Sequence, residues 1–335
     1  MNPCEHSVPC ELLNFIRDGQ KFFIAGHKEP DGDCVGSQVA LSSVLRRIGK
    51  EAILCSAGPF KRSEVLPYEN LFVFNPAARD NDEPQSRLIL VDCSDLERTG
   101  DLEPYLKGLP FAVIDHHETS MNVGGIPCYI DCRAPSTTFL VRKLILALGL
   151  QPNQEESELL FFGLCTDTGF FRHVDIDGAG TFEEAAALIR SGANPRTAYS
   201  AIYGNKSMDS RRLLGRILIR TESHFSGKLI LSTEEFEESC VFGFEGRDSE
   251  SLYKLLQSVA NVEAVVYIRQ ETPEKCTVGL RSNSWVDMGK IAATFGGGGH
   301  RKAAGFSMNG NMDDVKAILL KTFEKIFSQS SQANR

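Results

Sequence analysis

The 335-residue chain is poor in the features that mark several protein classes. It has a single tryptophan, and no apolar run approaches the ~18 residues needed to span a bilayer. Basic side chains are not in excess: 36 Lys and Arg stand against 44 Asp and Glu, a formal charge of −8. That balance argues against a protein that coats long duplex nucleic acid, which needs a basic face. A small anion is still open to it, through local basic groups or through metal ions. No two of the ten cysteines have C-x-x-C spacing, so a zinc-finger array is excluded. Scattered cysteines in a chain of this length read as reduced, mostly buried small apolar residues. Internal repeats and low-complexity tracts are missing as well. The first residues, MNPCEHSVPCELLNF, have neither a basic start nor a long apolar core, so no signal peptide is expected. The expectation is a soluble, cytoplasmic protein with no membrane partner.

What is present is a globular composition, 42% hydrophobic and 24% charged, long enough for about two domains. Short apolar runs recur at 22–25, 52–55, 87–91 and 111–114, with helical patterns at 34–49 and 136–150. Further helices are expected at 155–165 and 181–190. Continuous apolar strands alternating with helices indicate a parallel sheet covered on both faces. Residues 193–224 look all-helical, and Arg212, Arg216 and Arg220 on this stretch read as a solvated helix face. A second series follows, with strands at 228–232, 263–270, 276–282 and 306–308 and helices at 251–260, 286–295 and 312–327. The expected fold is α/β. A parallel-sheet N-terminal domain (1–192) leads through a helical connector (193–224) to a smaller α/β C-terminal domain (225–335). The tail from 328 is expected to be disordered.

Three of the early strands run into the same kinds of residue. The first leads to His27, Asp31 and Asp33, the third to Asp92, and the fourth to Asp115, His116 and His117. A helical run brings Asp167. In an open parallel sheet, sites form at the carboxyl ends of the strands, so these residues should converge on one crevice. A lone Asp at such a position is usually an N-cap, and a lone His is usually structural. Eight together are a different matter, because so many carboxylates cannot share a crevice ionised without cations. Two divalent metals would resolve the repulsion. His27, Asp31 and Asp92 could hold one, and Asp33, Asp92, His116 and Asp167 the other. Mixed imidazole and carboxylate donors suit manganese, cobalt or magnesium better than thiophilic metals. Asp115 could orient its neighbours through hydrogen bonds. Near the C-terminus, Gly296-Gly297-Gly298-Gly299-His300-Arg301 follows a strand ending near Arg281. Successive glycines let backbone N–H groups approach an anion, and His300, Arg301 and Arg281 could hold a terminal phosphate.

In their order, His27-x-x-Pro30-Asp31-Gly32-Asp33-x-x-Gly36-Ser37, Asp92, Asp115-His116-His117 and Asp167-Thr168-Gly169 resemble the four motifs of the DHH phosphoesterase superfamily. The run from Gly296 to Phe306 is similar to the signature of the associated DHHA1 domain. In size and layout the chain resembles the stand-alone bacterial oligoribonuclease and 3′-phosphoadenosine-5′-phosphate phosphatase subfamily (nano-RNase). The resemblance implies two manganese ions, with the same division of ligands and Asp92 bridging, and a C-terminal domain that holds substrate. It implies that His117 contacts the scissile phosphate. The implied activity is hydrolysis of short RNA to 5′-mononucleotides and of 3′-phosphoadenosine 5′-phosphate to AMP. The alternatives are a phosphodiesterase for cyclic di-AMP or linear diadenylate and, in another class, an inactive nucleotide sensor, although no metal ligand is missing. Substrates would be short oligoribonucleotides and nucleotide phosphates, and a homodimer is left open. Cys34 after Asp33 and Pro135 before Ser136 depart from the family pattern; the second still reads as a helix start. Cys34, Cys93 and Cys165 lie beside proposed ligands and read chiefly as packing residues.

Overall fold

The computed structural model describes residues 7–76, 86–117, 125–204, 206–243 and 247–333. The chain forms two compact units, Met1–Asn205 and Lys206–Arg335. In the first, α1 (Cys10–Asp18) precedes five strands, β1 (Lys21–Ala25), β2 (Glu51–Cys55), β3 (Ser86–Val91), β4 (Phe111–Asp115) and β5 (Cys128–Ile130). All pair in parallel, in the order β2-β1-β3-β4-β5. α2 (Gly32–Arg47) joins β1 to β2, and α3 (Glu103–Leu106) precedes β4. After β5 come α4 (Thr137–Ala147), α5 (Gln154–Asp167), α6 (Ala179–Arg190) and α7 (Pro195–Tyr203).

The strand residues alternate between two cores, as a period of two requires. Phe22, Ile24, Ile89 and Ile114 pack with Leu41, Leu140 and Leu160 of α2, α4 and α5 on one face. Phe23, Leu88, Leu90 and Val113 pack with Leu102 and Leu106 on the other. Both faces are therefore covered, and the strand order reverses between β1 and β3. An open α/β sheet leaves a crevice at the carboxyl ends of such a pair.

The second unit contains α8 (Met208–Ile219), β6 (Glu222–His224), β7 (Leu229–Glu234), α9 (Phe236–Phe242), α10 (Ser249–Gln257), β8 (Ala264–Thr272) and β9 (Lys275–Ser282). It ends with α11 (Met288–Thr294), β10 (Gly298–His300), β11 (Ala303–Asn309) and α12 (Met312–Ala333). Its sheet is mixed, in the order β10-β11-β9-β8-β7-β6, with β7 and β8 the parallel pair. Val278, Leu280 and Phe306 pack on one face with Met288, Leu319 and Phe323.

The α/β class and the parallel sheet agree with the expectation. Two local expectations change, and the glycine run takes a definite form. The stretch 193–224 holds α7 and α8 but ends in β6, and α12 runs on to Ala333 where a disordered tail was expected. The glycine run is not an open loop, since Gly298–His300 pairs with Ala303–Gly305 as an edge strand. Among the described residues no helix is long and apolar enough to cross a membrane.

Candidate metal centre and its surroundings

β1 ends at Ala25, and the chain turns past Gly26 into His27. A Cβ on Gly26 would lie 2.1 Å from Cys34 Sγ, so only glycine fits the turn. His27 Nδ1 donates to Lys28 O at 2.8 Å, because a carbonyl can only accept. That bond turns Nε2 toward Asp92 Oδ2 at 3.4 Å and Asp31 Oδ1 at 3.9 Å. Asp31 is the N-cap of α2 and accepts from the backbone N–H of Asp33 and Cys34. For Asp31 the capping and ligand readings thus coincide. The Arg62 guanidinium lies 3.8 Å from its other carboxylate oxygen.

Asp33, in the first turn of α2, is fully buried. Its carboxylate faces the start of α4 and accepts from Thr137 N at 2.6 Å, Thr138 N at 2.9 Å and Thr138 Oγ1 at 2.7 Å. The positive end of a helix macrodipole therefore meets a buried anion. Asp92 directly follows β3 with a φ of 61°, in the left-handed region that few non-glycine residues adopt. Its Oδ1 accepts from Thr137 Oγ1 at 3.0 Å. Backbone held in this sparsely populated region is a feature that clusters at active sites.

Asp115 closes β4 and is also fully buried. One of its oxygens accepts from His116 N, His117 N and His117 Nδ1, the last at 2.8 Å. Asp115 therefore fixes the His117 ring and leaves Nε2 clear of that bond. His116 Nδ1 lies 3.2 Å from Ala134 O, while its Nε2 lies 3.1 Å from Asp167, 3.7 Å from Asp92 and 4.0 Å from Asp33. Asp167 is the last residue of α5, which packs against α2. A Cβ on Gly36 would lie 2.7 Å from Leu159 O, and one on Gly163 would lie 3.0 Å from Asp33 Oδ1. These two glycines set the approach of the two helices.

The electrostatics follow. Burial alone would depress both imidazoles, but hydrogen bonds to Asp31 and Asp92 hold His27 up at about 10, and Asp167 with Asp33 does the same for His116. Burial pushes the Asp33 and Asp92 carboxyls upward. Hydrogen bonding to Asp115 raises His117. The cluster draws positive charge into itself. Two donor groups suited to a metal, Asp33–His116–Asp167 and Asp92–His116–His117, have atoms within 4.8 Å of one another, as does His27–Cys34–Asp92. The thiol of Cys34 points to Gln38 Oε1 at 3.5 Å, and burial raises Cys34, Cys93 and Cys165 alike.

All eight residues expected at the crevice are thus brought together. Sequence reasoning missed Thr137 and Thr138, which it took only as a helix start, and Arg62. The signal was there, as a Ser-Thr-Thr helix start offers both hydroxyls and unpaired N–H groups to a buried carboxylate. In the second unit, His300 pairs with Ala303 and Ala303 with Arg281, which places His300 and Arg281 on one sheet face. The Arg281 guanidinium stacks 4.1 Å above the Tyr253 ring. Arg301 lies in the exposed turn beyond β10. The row of arginines on α8 and its C-cap is engaged by acidic neighbours. Arg212 pairs with Asp209, while Arg216 and Arg220 pair with Glu238.

The model of the DHH family, N-terminal domain, matches residues 21–164, and that of the DHHA1 domain matches residues 238–329. A bifunctional oligoribonuclease and PAP phosphatase of Thermus thermophilus is 30% identical over 292 residues, 86% of this chain and 84% of the relative. A protein of the same description from Bacillus subtilis is 25% identical over 92% of this chain and 96% of its own length. The crystal structure of an exopolyphosphatase-related protein from Bacteroides fragilis superposes with a TM-score of 0.80 at 22% identity, covering 94% of each chain, and shares the fold.

Proposed function

Because the chain belongs to the DHH family and carries its DHHA1 partner domain, we propose that it is a metal-dependent phosphoesterase that cleaves short RNA oligonucleotides to 5′-mononucleotides and converts 3′-phosphoadenosine 5′-phosphate to AMP. One observation carries this reading: three imidazoles and five carboxylates meet at the carboxyl ends of β1, β3 and β4 and the end of α5, in a chain similar over most of its length to two oligoribonuclease/phosphatases. The donor set fits two divalent ions. His27, Asp31 and Asp92 would hold one, and Asp33, Asp92, His116 and Asp167 the other. Oxygen and imidazole donors suit manganese, with cobalt or magnesium as alternatives. When bound, such a pair supplies an activated water and neutralises charge on the phosphoryl group.

The protein's own groups do the rest. The Thr137 and Thr138 donors keep Asp33 and Asp92 in place without side-chain freedom. Asp115 accepts from His117 Nδ1 and raises the ring's pKa, so that the protonated imidazolium can donate from Nε2 to a non-bridging oxygen of the scissile phosphate. Asp115 and His117 are thus the proposed catalytic pair beside the metals. Arg281, Gly297, Gly298, Gly299, His300 and Arg301 are the proposed contacts for a terminal phosphate, and the Tyr253 ring steadies Arg281. In this reading the chemistry belongs to the domain 1–192 and substrate choice to the domain 225–335, with 193–224 connecting them. The nine described cysteines are unpaired, which supports a cytoplasmic setting.

The deciding experiment offers purified protein with manganese a panel of 3′-phosphoadenosine 5′-phosphate, linear diadenylate, a five-nucleotide RNA, cyclic di-AMP and pyrophosphate. The bisphosphate and the short RNA should turn over fastest. A rate confined to cyclic di-AMP, or no metal-dependent hydrolysis at all, would overturn the proposal.

A further inference from the structure

The mixed sheet of the second unit has one face that the proposed function uses only in part. Residues paired across a ladder project to the same face, so the register sorts that face into rows. The first row is His300, Ala303 and Arg281. The second is Gly298, Gly305, Gly279 and Tyr267. The third is Ser307, Thr277 and Arg269. Leu252 and Leu256 of α10 pack with Val265 and Tyr267. Beyond them lies an open groove of about 450 Å³, lined by Arg281 and Tyr253 at one end and Arg269, Thr277 and Ser307 at the other.

The floor between the two ends is glycine. A Cβ on Gly279 would lie 1.8 Å from the Tyr253 hydroxyl, so a side chain there would expel the ring on which Arg281 stacks. At the far end, Thr277 Oγ1 and Ser307 Oγ stand 3.1 Å apart. Arg269 Nε is 3.7 Å from Glu271, beyond hydrogen-bond reach, and Glu271 is already engaged by Arg247 at 3.2 Å. The partner of Arg269 on β9, Thr277, is four residues from Arg281, about 13 Å along the strand. The two arginines therefore rise from rows on either side of the glycine row, over which the Tyr253 hydroxyl stands.

We infer that Arg269, with the Thr277 and Ser307 hydroxyls, forms a second phosphate subsite, so that the groove takes linked nucleotides with an anion at each end. The inference rests on the reading of Arg281 as a phosphate contact. A nucleoside bisphosphate has one phosphate to lose and one for Arg281, and none for Arg269. A 5′-phosphorylated trinucleotide has a third. Arg269 thereby separates oligonucleotides from bisphosphates as substrates.

The test measures KM on manganese-loaded protein for a 5′-phosphorylated trinucleotide and for 3′-phosphoadenosine 5′-phosphate. Binding of a hydrolysis-resistant phosphorothioate trinucleotide is measured separately. Arg269→Ala should raise the trinucleotide KM and Kd at least tenfold and move the bisphosphate KM less than twofold, and Arg269→Lys should recover part of the loss. Equal effects on both substrates, or no effect on either, would overturn the subsite. If the wild type hydrolyses neither substrate, the proposed activity fails on its own. Phosphorothioate binding then decides the subsite, upheld by a tenfold loss in Arg269→Ala and overturned by unchanged affinity.

Discussion

Replacing Thr138 by valine isolates the contribution of one hydroxyl to the metal centre. The two side chains have nearly the same shape, so the methyl that packs against Gly36 and Gly163 remains. What is lost is the Thr138 Oγ1 bond to Asp33 at 2.7 Å and the 2.8 Å contact with Ser136 Oγ. Asp33 has no access to water, so nothing replaces the missing donor. A hydrogen bond to a charged group contributes about 1.5–3 kcal/mol and a neutral one about 1 kcal/mol, and an orphaned buried partner adds cost. A total of about 2.5–4 kcal/mol is expected, which for a unit of this size corresponds to roughly 5–15 °C in Tm. With one donor fewer, the Asp33 carboxylate is also harder to ionise, so affinity for the ion it would share with His116 and Asp167 should fall. Thermal unfolding of metal-free and manganese-loaded protein reads both effects. Thr138→Ser keeps the hydroxyl and should lose only about 1 kcal/mol for the methyl. If Thr138→Val melts within 1 °C of wild type, or if the serine variant is hurt as much as the valine one, the hydroxyl does not hold Asp33 as argued.

Asp92→Asn preserves a side chain tolerant of the left-handed backbone while removing the shared charge, so it should fold normally, bind metal poorly and lose at least a thousandfold in turnover; more than a tenth of the wild-type rate would refute the two-ion assignment. Glu263 supplies the pH dependence. Burial alone would raise its pKa, but bonds from Ser284, Val286 N, Trp285 N and Ser282 outweigh that and hold it below the ordinary 4.5. Its contribution should be complete above pH 4.5 and lost as pH falls below it, so the Tm gap between wild type and Glu263→Gln should close on going from pH 6 to pH 3.5, and a gap independent of pH would contradict this. In thiol titration of the native protein, Cys10 and Cys240 should react quickly and the buried Cys34, Cys93 and Cys165 slowly. Mild peroxide should then affect wild type and a Cys34→Ala, Cys93→Ala, Cys165→Ala variant equally, and selective protection of the variant would assign those thiols a role.

The candidate metal centre was legible in the sequence because most of its proposed ligands follow on apolar strands. Once a parallel sheet is inferred, His27, Asp92 and His116 must meet at one edge. Asp31 could be placed there as well; the sequence offered the N-cap and the ligand as rival readings, and only the geometry shows that one carboxylate can serve both. Thr137 and Thr138 were harder, since part of what they offer is backbone N–H, which carries no residue signature. β5, with three residues, was too short to register. β10 is built of two glycines and a histidine, a composition that argues for a loop, and only cross-strand pairing makes it an edge strand. The face shared by His300, Arg281 and Arg269 depends on register between strands, which periodicity within one strand does not specify.

The proposed ligands of the centre are scattered widely along the chain, from His27 to Asp167. At ~5–20 residues per second of synthesis, about 140 residues separate their emergence by on the order of ten seconds. Through that interval the early carboxylates have no complete ligand set, because α5 has yet to deliver Asp167 and α4 to deliver the donors for Asp33. On the proposed assignment, high-affinity metal capture would be a late event on the growing polypeptide. It coincides with closure of α5 against α2 at Gly36 and Gly163, so an ion seated in the full ligand set marks a first unit that has finished folding.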